Sequence, residues 1–448
     1  MPTGDTIESL PYSTSSTTLR RKIIVASTIG NAFEWFDFTL FGLFTLVIAQ
    51  EFFPIASHTG SLLLGTATLG VAFIFRPIGG IVFGMYADRV GRKRAVALVV
   101  LLMALATAGL GLIPGYAQIG FMAPLVVVAA RILQGFSAGG EFSSATALLV
   151  EYAPAGHQGF YGSFQMCSQA LAVTLAGFSV YALSAGLSPE ALHSWGWRLP
   201  FLFGILVGPV GFYIRRRLQE SPQFAAHLRT HSRPTSADFR AGLIGARRNL
   251  LSGFGLTVAA TVSFYVTFIY MPIFAVRELH LGLAQATLPT MLCGVLLVAL
   301  CPLAGHLSDR WGRKRMLVTA MILYAVGMLT LTAWVLHAPG FPEYLTLQLA
   351  STACMAFVWG PFPTAVTEAV PVGVRATGVA LIYNFSVMLF GGLAPFFITA
   401  IIGVTGNAMA PAYYVTGGVL LSLLSYGIWG QDTSASLKAI DAITEARV

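Results

Sequence analysis

Two acidic residues lie inside an otherwise apolar stretch near the start of the chain. Glu34 and Asp37 are three residues apart in the run 23–50, so a helix would place them on one face. The run is longer than the roughly 20 residues that a membrane-spanning helix needs. An ionised carboxylate at bilayer depth costs at least about 2.5 kcal/mol, and protonation or pairing lowers that cost. A span that keeps two carboxylates therefore indicates work with protons, cations or a charged substrate.

Two arginines occur near the middle of other apolar runs and could pair with these acids. An unpaired arginine in hydrocarbon is costly, so Arg76 and Arg131 each require a carboxylate or an anionic ligand. We expect Asp37 to exchange a proton with Arg131 as its charge partner, although a static ion pair is the alternative. Glu34 is the second candidate for the proton site, or a structural partner of either arginine. Arg76 either contacts an anionic substrate or neutralises Glu34.

The pairing of Asp37 with Arg131 would couple a proton to an anion. Burial favours the protonated form of a carboxyl group, and a nearby guanidinium favours the ionised form. A substrate that competes for Arg131 would therefore ease the protonation of Asp37. Other polar side chains in apolar runs either bind the substrate or join helices. These candidates for substrate binding, besides Arg131 and Arg76, are Gln134, Gln165, Gln169, Tyr383 and Asn384.

The elements that must position these residues are membrane spans. The chain has 448 residues, of which 56% are hydrophobic and only 10% charged, whereas soluble domains average about 25% charged residues. A backbone in lipid must satisfy its own hydrogen bonds, so the apolar runs predict an all-α membrane protein with twelve transmembrane helices. The predicted spans, numbered 1 to 12 in chain order, are 23–50, 62–84, 95–113, 119–150, 160–186, 197–214, 250–276, 285–305, 316–336, 344–368, 376–402 and 411–430.

The spans form two six-helix bundles, residues 23–214 and 250–430, separated by the polar and basic segment 215–249. Most Lys and Arg residues fall on the side shared by that segment and the two tails, 1–22 and 431–448. The exceptions are Arg76, Arg131, Arg198 and Arg277. By the positive-inside rule, both termini and the linker are cytoplasmic.

The two bundles repeat one loop pattern. The loop after span 2 reads GMYADRVGRKR (84–94), and the loop after span 8 reads GHLSDRWGRKR (305–315). An acid also ends span 4 and span 10, so the chain reads as two pseudosymmetric copies of one six-helix unit. We expect two charge clusters at the cytoplasmic face, although orientation alone would also explain the basic loops. The first cluster is Asp88, Arg92 and Glu151, and the second is Asp309, Arg313 and Glu368.

The repeated loop resembles the signature of the major facilitator superfamily. GNAFEWFDF (30–38), RILQGFSAGGE (131–141) and WGWRLPF (195–201) resemble its metabolite:proton symporter branch. Members of that branch carry citrate, 2-oxoglutarate, shikimate, or proline and betaine. Within it, RILQGFSAGGEFSSA and TEAVPVGVRATG are most similar to citrate and tricarballylate symporters. The resemblance implies a substrate site between the bundles, alternating access by rocking, and charge clusters that latch the cytoplasmic face.

These observations together predict a proton-coupled symporter of the inner membrane that imports a small organic anion. Two mid-depth arginines favour an anion, and the stretches that resemble citrate symporters favour a di- or tricarboxylate such as citrate or tricarballylate. We expect the carrier to work as a monomer. Uptake of 2-oxoglutarate, shikimate, proline or betaine remains an alternative, as does a channel or membrane enzyme. The histidines show no metal-ligand spacing and no loop has a nucleotide fingerprint. We therefore expect no metal, cofactor, nucleotide or nucleic acid, and the proton gradient as the energy source.

Overall fold

The computed structural model describes residues 17–55, 57–90, 92–139, 141–202, 244–370 and 375–430, and every regular element within these ranges is helical. The predicted tails fall almost wholly outside them, as does most of the predicted linker 215–249. The helices of the first bundle are Thr17–Leu43, Thr45–Phe52, His58–Val90, Arg92–Leu112, Tyr116–Ile119, Met122–Ser137, Glu141–Glu151, Gln158–Gly186, Pro189–Ser194 and the short Gly196–Arg198. Those of the second are Arg247–Phe264, Tyr265–Tyr270, Met271–Arg277, Leu283–Trp311, Arg313–His337, Phe341–Trp359, Phe362–Ala369, Arg375–Ser386, Val387–Gly392, Ala394–Thr405 and Ala410–Trp429.

These helices correspond in order to the predicted spans. Nine helical runs in the described ranges are long and apolar enough to cross a membrane, and the bent pair of helices in span 1 makes a tenth. Span 3 contributes a shorter apolar helix, Leu101–Leu112, within Arg92–Leu112. Span 6 is described only as far as residue 202. The chain is thus an all-α membrane protein.

Three spans that the sequence predicts as continuous helices are broken. Span 1 bends by 64° between the helices that end at Leu43 and begin at Thr45. In span 4 the helix Met122–Ser137 gives way to a turn at Ala138 and Gly139. Span 10 breaks at Gly360 and Pro361, because proline offers no backbone N–H to continue the helical ladder. Such breaks can sit inside a membrane because other parts of the protein cover the freed backbone groups.

Glycines allow spans 2 and 4 to pack with their backbones nearly in contact. A Cβ atom on Gly135 would overlap the carbonyl group of Ala72, and one on Gly79 would overlap the carbonyl group of Phe136. Small residues that permit close approach are typical of helix packing in membranes, where lipid gives little hydrophobic drive. This close packing places Arg76 and Arg131 in the same layer, facing span 1.

The two bundles meet mainly along spans 5 and 8. At one end Gly159 of span 5 packs on Gly305 of span 8, and further along Gly294 packs on Thr174. Because Asp309 lies near the end of the helix Leu283–Trp311, we call this side the Asp309 end. The opposite side is the Arg277 end, where Arg277 donates a hydrogen bond to the Thr59 hydroxyl of the other bundle at 3.2 Å.

Span 7 lies at the centre of the second bundle and faces the first. Its most apolar stretch is wholly buried, and it contains a π-helical segment, Tyr265–Tyr270. Span 11 contains a second one, Val387–Gly392. Single π-helical turns often mark functional positions in helices. Here Gly391 leaves room for the Tyr265 ring, so the two π-helical segments together aim Tyr265 at the space between the bundles.

Candidate functional site

Glu34 and Arg76 form a direct ion pair between spans 1 and 2, and both side chains are buried. The Arg76 guanidinium also lies 5.6 Å from the centroid of Trp35 and 5.8 Å from that of Tyr383. A guanidinium over an aromatic face gains electrostatic stabilisation, more so when water is excluded. The structure thus pairs Arg76 with Glu34, and whether Arg76 also contacts a substrate stays a prediction.

Asp37 and Arg131 form a second pair, one helical turn further along span 1. Arg131 Nη1 lies 3.7 Å from Asp37 Oδ2, and both side chains are buried. Gln134 lies between them: its Oε1 accepts from Arg131 at 2.9 Å, and its Nε2 donates to Asp37 at 2.5 Å. Thr107 of span 3 also accepts from Gln134 Nε2, at 3.0 Å. The structure thus brings together the two residues that the sequence pairs.

Phe38 separates the two ion pairs. Its ring centroid lies 5.6 Å from the Arg76 guanidinium carbon and 4.8 Å from that of Arg131. Arg131 also lies 4.3 Å from the centroid of Phe41. The aromatic side chains exclude water from both pairs, which strengthens each electrostatic interaction. The four charges, two of each sign, all belong to the first bundle.

A narrow cavity of about 10 Å³ lies between the bundles, next to these pairs. Its wall is mostly aromatic. The lining residues that matter for binding are Trp35, Gln169, Phe264, Tyr265, Trp359 and Tyr383. Pockets for small ligands usually measure about 300–1,000 Å³, whereas a cavity of about 10 Å³ holds roughly one water molecule, so the bundles must move apart before a metabolite can enter.

Several hydrogen-bond donors on this wall lack a partner among the described residues. They are Trp35 Nε1, Gln169 Nε2 and the Tyr265 hydroxyl. Buried polar groups in folded proteins are nearly always hydrogen-bonded, and an exception calls for an explanation such as a ligand. An indole and an amide N–H can only donate, and a tyrosine hydroxyl can also donate. The wall is therefore suited to a ligand rich in acceptor oxygens.

The predicted substrate-binding residues separate into two groups. Gln169 and Tyr383 line the cavity. Arg76, Arg131, Gln134 and Gln165 do not line it, and Asn384 instead donates a hydrogen bond to the Gly139 carbonyl at the break in span 4, at 2.7 Å.

The arginines lie one side-chain layer behind the wall and keep unused donors. Within the described part of the chain, Nε and one Nη of each guanidinium have no hydrogen-bond partner, and neither does the Gln165 amide. Because Trp35 and Tyr383 touch both the cavity and Arg76, a ligand in the cavity lies close to that positive charge. In an interior that excludes water, the Arg76 charge would act strongly on a charged ligand in the cavity.

The second predicted charge cluster is present at the Asp309 end. Arg313 lies 3.1 Å from Asp309 and 2.9 Å from Glu368. Asp309 also accepts hydrogen bonds from the backbone N–H groups of Gly159 and Phe160, at 2.8 and 3.0 Å. This carboxylate therefore holds the start of span 5 in the other bundle.

The side chains of Asp88 and Arg92, two members of the first predicted cluster, lie outside the described residues. The third member, Glu151, forms an ion pair with Arg375 of the second bundle at 3.6 Å. At the Asp309 end, an acid of each bundle thus contacts the other bundle: Asp309 contacts Gly159, and Glu151 contacts Arg375. Sequence reasoning did not identify Arg375, because basic residues are common in all loops on this side.

Other residues of the site were also missed. Trp35 and Phe264 line the cavity, and Thr107 fixes Gln134. The position of Trp35, between Glu34 and Asp37 in an acid-bearing span, is a signal that could have indicated it. Thr107 carries no such signal, since a lone threonine in an apolar span usually bonds to its own helix.

The fold and the enclosed site are those of a membrane transporter built from two helical bundles. The fold is similar to that of the proton:xylose symporter XylE bound to 6-bromo-6-deoxy-D-glucose, with a TM-score of 0.74 and 19% identity, covering 95% of this chain and 99% of that one. The sequence profile of the Major Facilitator Superfamily matches residues 27–395 and 253–438. The chain therefore belongs to the Major Facilitator Superfamily.

Two groups of relatives are similar over nearly the whole chain. The citrate-proton symporter of Klebsiella pneumoniae is 38% identical over 407 residues, which cover 90% of each protein. The proline/betaine transporter of Salmonella typhimurium is 31% identical over 426 residues, covering 92% of this chain and 84% of that protein. The resemblance to the proton symporter branch that the sequence motifs indicated is confirmed.

Proposed function

We propose that this protein is a proton-coupled symporter that imports a small organic anion with two or three carboxylates, such as citrate or tricarballylate. The observation that carries the proposal is the set of unused donors around the cavity, on Trp35, Gln169 and Tyr265. Carboxylate oxygens only accept hydrogen bonds, so a polycarboxylate satisfies several donors at once. The name of the Klebsiella relative supports the same substrate class.

The two buried ion pairs supply the coupling between proton and anion. In the structure each positive charge near the cavity is balanced, Arg76 by Glu34 and Arg131 by Asp37. Protonation of either acid removes a negative charge and leaves a net positive charge beside the cavity. An anion then binds more tightly, and by linkage a bound anion favours protonation by the same factor. This coupling does not require the anion to touch the acid that carries the proton.

Asp37 is the preferred proton carrier and Glu34 the second candidate. Glu34 bonds directly to Arg76, whereas Asp37 lies 3.7 Å from Arg131. A charge-assisted hydrogen bond is roughly twice as strong as a neutral one, so the direct pair holds its acid in the ionised form more firmly. Protonation of Asp37 therefore costs less stabilising energy than protonation of Glu34.

Alternating access would open and close the two ends in turn. We propose that the Asp309 end faces the cytoplasm of the inner membrane and that both termini lie on that side, following the distribution of basic residues. The contacts of Asp309 with Gly159 and of Glu151 with Arg375 then latch the cytoplasmic face. The Arg277–Thr59 contact closes the opposite face. A single chain contains the whole site, which is consistent with function as a monomer.

Uptake of a zwitterionic osmolyte is the second candidate, because aromatic walls can bind quaternary ammonium groups. However, other aromatic rings already stack on the faces of the rings that line the cavity. Phe264 stacks on Trp359, with centroids 5.3 Å apart, and Tyr383 stacks on Phe142 at 3.7 Å. Arg76 also lies near Tyr383 and would repel a second cation. Once one of the two acids is protonated, the net positive charge of the site favours an anion over betaine.

Ligand-induced stabilisation of the purified full chain tests the proposal. The panel contains citrate, tricarballylate, 2-oxoglutarate, shikimate, proline and betaine. We expect citrate or tricarballylate to raise the melting temperature, and radiolabelled citrate to accumulate in proteoliposomes under an inward proton gradient and to leave when a protonophore is added. Stabilisation by betaine alone would contradict the anion proposal, and by shikimate or 2-oxoglutarate alone would move it to that substrate.

A pair of matched variants shows whether the stabilisation arises at this site. Arg76→Gln removes an arginine from the ion pair beside the cavity and should abolish stabilisation by citrate. Arg198→Gln removes an arginine from an ion pair with Glu51, which lies at 3.1 Å and is remote from the cavity. It should leave the shift unchanged.

A further inference from the structure

Asp37 and Arg131 are neighbours without a direct hydrogen bond. Their closest atoms, Oδ2 and Nη1, are 3.7 Å apart, whereas N–H···O bonds measure about 2.7–3.2 Å. The same two atoms are joined through one amide. Gln134 Oε1 accepts from Nη1 at 2.9 Å, and Gln134 Nε2 donates to Oδ2 at 2.5 Å. The amide therefore occupies the place that a direct bond would take.

The orientation of this amide is fixed by its surroundings. Gln134 follows Arg131 by three residues on the same helix, so the two side chains lie on one face. The second N–H of Gln134 reaches the Thr107 hydroxyl of span 3 at 3.0 Å. The side chain is fully buried and has no water to turn towards. Its carbonyl thus faces the cation and its NH2 group faces two acceptors.

We propose that Gln134 is a positioning residue that keeps Asp37 and Arg131 apart and thereby sets the pH at which Asp37 takes up its proton. This inference rests on the proposed function, in which Asp37 carries the proton. It replaces the prediction that Gln134 binds the substrate, because its amide groups are engaged and it does not line the cavity.

The physical reason is a difference in bond strength. A direct bond between guanidinium and carboxylate is charge-assisted at both partners and roughly twice as strong as a bond to a neutral donor. Direct contact would stabilise the ionised carboxylate of Asp37 and oppose protonation. The amide gives Asp37 a neutral hydrogen-bond donor in place of the guanidinium. Protonation of Asp37 therefore costs less hydrogen-bond energy.

Other charged or titratable groups face this pair and remain in place in the test below. Arg76 of span 2 and Glu34 of span 1 neutralise each other, and Tyr265 of span 7 lies near Arg131. Spans 3 and 5 contribute the uncharged Thr107 and Gln165 to this region.

The test replaces the amide by an apolar side chain of similar size, Gln134→Leu. The readout is the infrared band of the protonated Asp37 carboxyl in the purified protein, assigned by its loss in Asp37→Asn and titrated with pH without substrate. We expect the midpoint of the variant to move towards acid by roughly one pH unit, because the pair closes to a direct bond. Gln134→Ala also removes the amide, leaves the space between the two groups open, and should shift the midpoint in the same direction.

Gln348→Leu is the matched control. Gln348 is also a fully buried amide, bonded to the Thr267 carbonyl and the Tyr344 hydroxyl in the second bundle, away from Asp37. It should leave the midpoint unchanged. An unchanged or alkaline midpoint in Gln134→Leu would overturn the proposal. If Gln134→Leu does not fold, the Gln134→Ala titration decides in the same way.

Uptake separates this inference from the proposed function. If Gln134 bound the substrate, Gln134→Leu would raise KM for citrate at every pH, and the infrared midpoint would stay in place. If the wild-type protein accumulates no citrate, the proposed substrate fails while the infrared titration still tests the role of Gln134.

Discussion

Asp309 in span 8 accepts the amide proton of Gly159 in span 5 at a distance of 2.8 Å. Gly159 lies in the first turn of the helix Gln158–Gly186, where backbone N–H groups have no partner within the helix. A carboxylate there is favoured by the positive end of the helix dipole. One side chain of the second bundle thus caps a helix of the first. The contact is stabilised by charge, and it breaks when the two bundles separate at this end.

Asp309→Asn should favour opening at this end. The variant keeps an acceptor oxygen but loses the negative charge that serves the helix end and Arg313. We expect a loss of about 1–2 kcal/mol in the closed state, or roughly a five- to thirtyfold change in the ratio of closed to open molecules. Maleimide labelling of the native thiols Cys167 and Cys301, buried where spans 5 and 8 meet, measures it. Glu190→Gln, which removes an exposed carboxylate, is the control and should label at the wild-type rate.

Asp37→Asn should abolish accumulation of citrate driven by a proton gradient, while exchange of internal for external citrate continues. The variant imitates the protonated acid, so the anion still binds but no proton travels with it. Paired uptake and counterflow assays in proteoliposomes measure the two activities. Glu34→Gln is the comparison and should keep gradient-driven accumulation. Accumulation by Asp37→Asn at the wild-type level would exclude Asp37 as the proton carrier.

Tyr265→Phe should weaken citrate binding about tenfold, because it removes one unused donor from the cavity wall and leaves the ring in place. Isothermal titration at fixed pH measures the affinity. Tyr344→Phe removes a hydroxyl that bonds to the Ala286 carbonyl away from the cavity. It should bind citrate as the wild-type protein does. Equal loss in both variants would indicate a general effect on folding instead.

Gly135→Ala should destabilise the first bundle by about 1–3 kcal/mol, since the added methyl group would overlap the backbone of Ala72. The helices must then separate, which also moves Arg131 away from Asp37. Gly327→Ala adds the same methyl group to a helix where no atom lies within 4 Å, and it should be neutral or slightly stabilising. Thermal unfolding of both variants in detergent compares them, and similar melting temperatures would argue against close packing of spans 2 and 4.

Much of this fold follows from sequence because lipid permits few structures. Apolar runs of sufficient length must be helices, and Glu34, Asp37, Arg76 and Arg131 must find partners within them. The repeated loops also indicate the cluster at Asp309. The structure does not test the predicted linker or the side chains of Asp88 and Arg92.

The remaining features depend on contacts between helices that no periodicity records. The break in span 4 and the π-helical segment in span 7 arise from close packing across spans, and they decide which side chains reach the cavity. Gln134 illustrates the limit. Its spacing from Arg131 shows that the two share a face, but only the position of Thr107 determines that the amide turns towards Asp37.

The charged pairs beside the cavity belong to the first bundle, and the described part of the second bundle contributes only uncharged side chains to the cavity wall. In the proposed function, the proton-carrying pairs and the part of the wall that the second bundle contributes are therefore encoded in separate stretches of the chain, whereas Trp35 and Gln169 of the wall belong to the first bundle. Substitutions on the wall at Tyr265, Trp359 or Tyr383 could retarget the carrier to another anion while the proton machinery remains intact. For a bioengineer, these three positions are the first to vary.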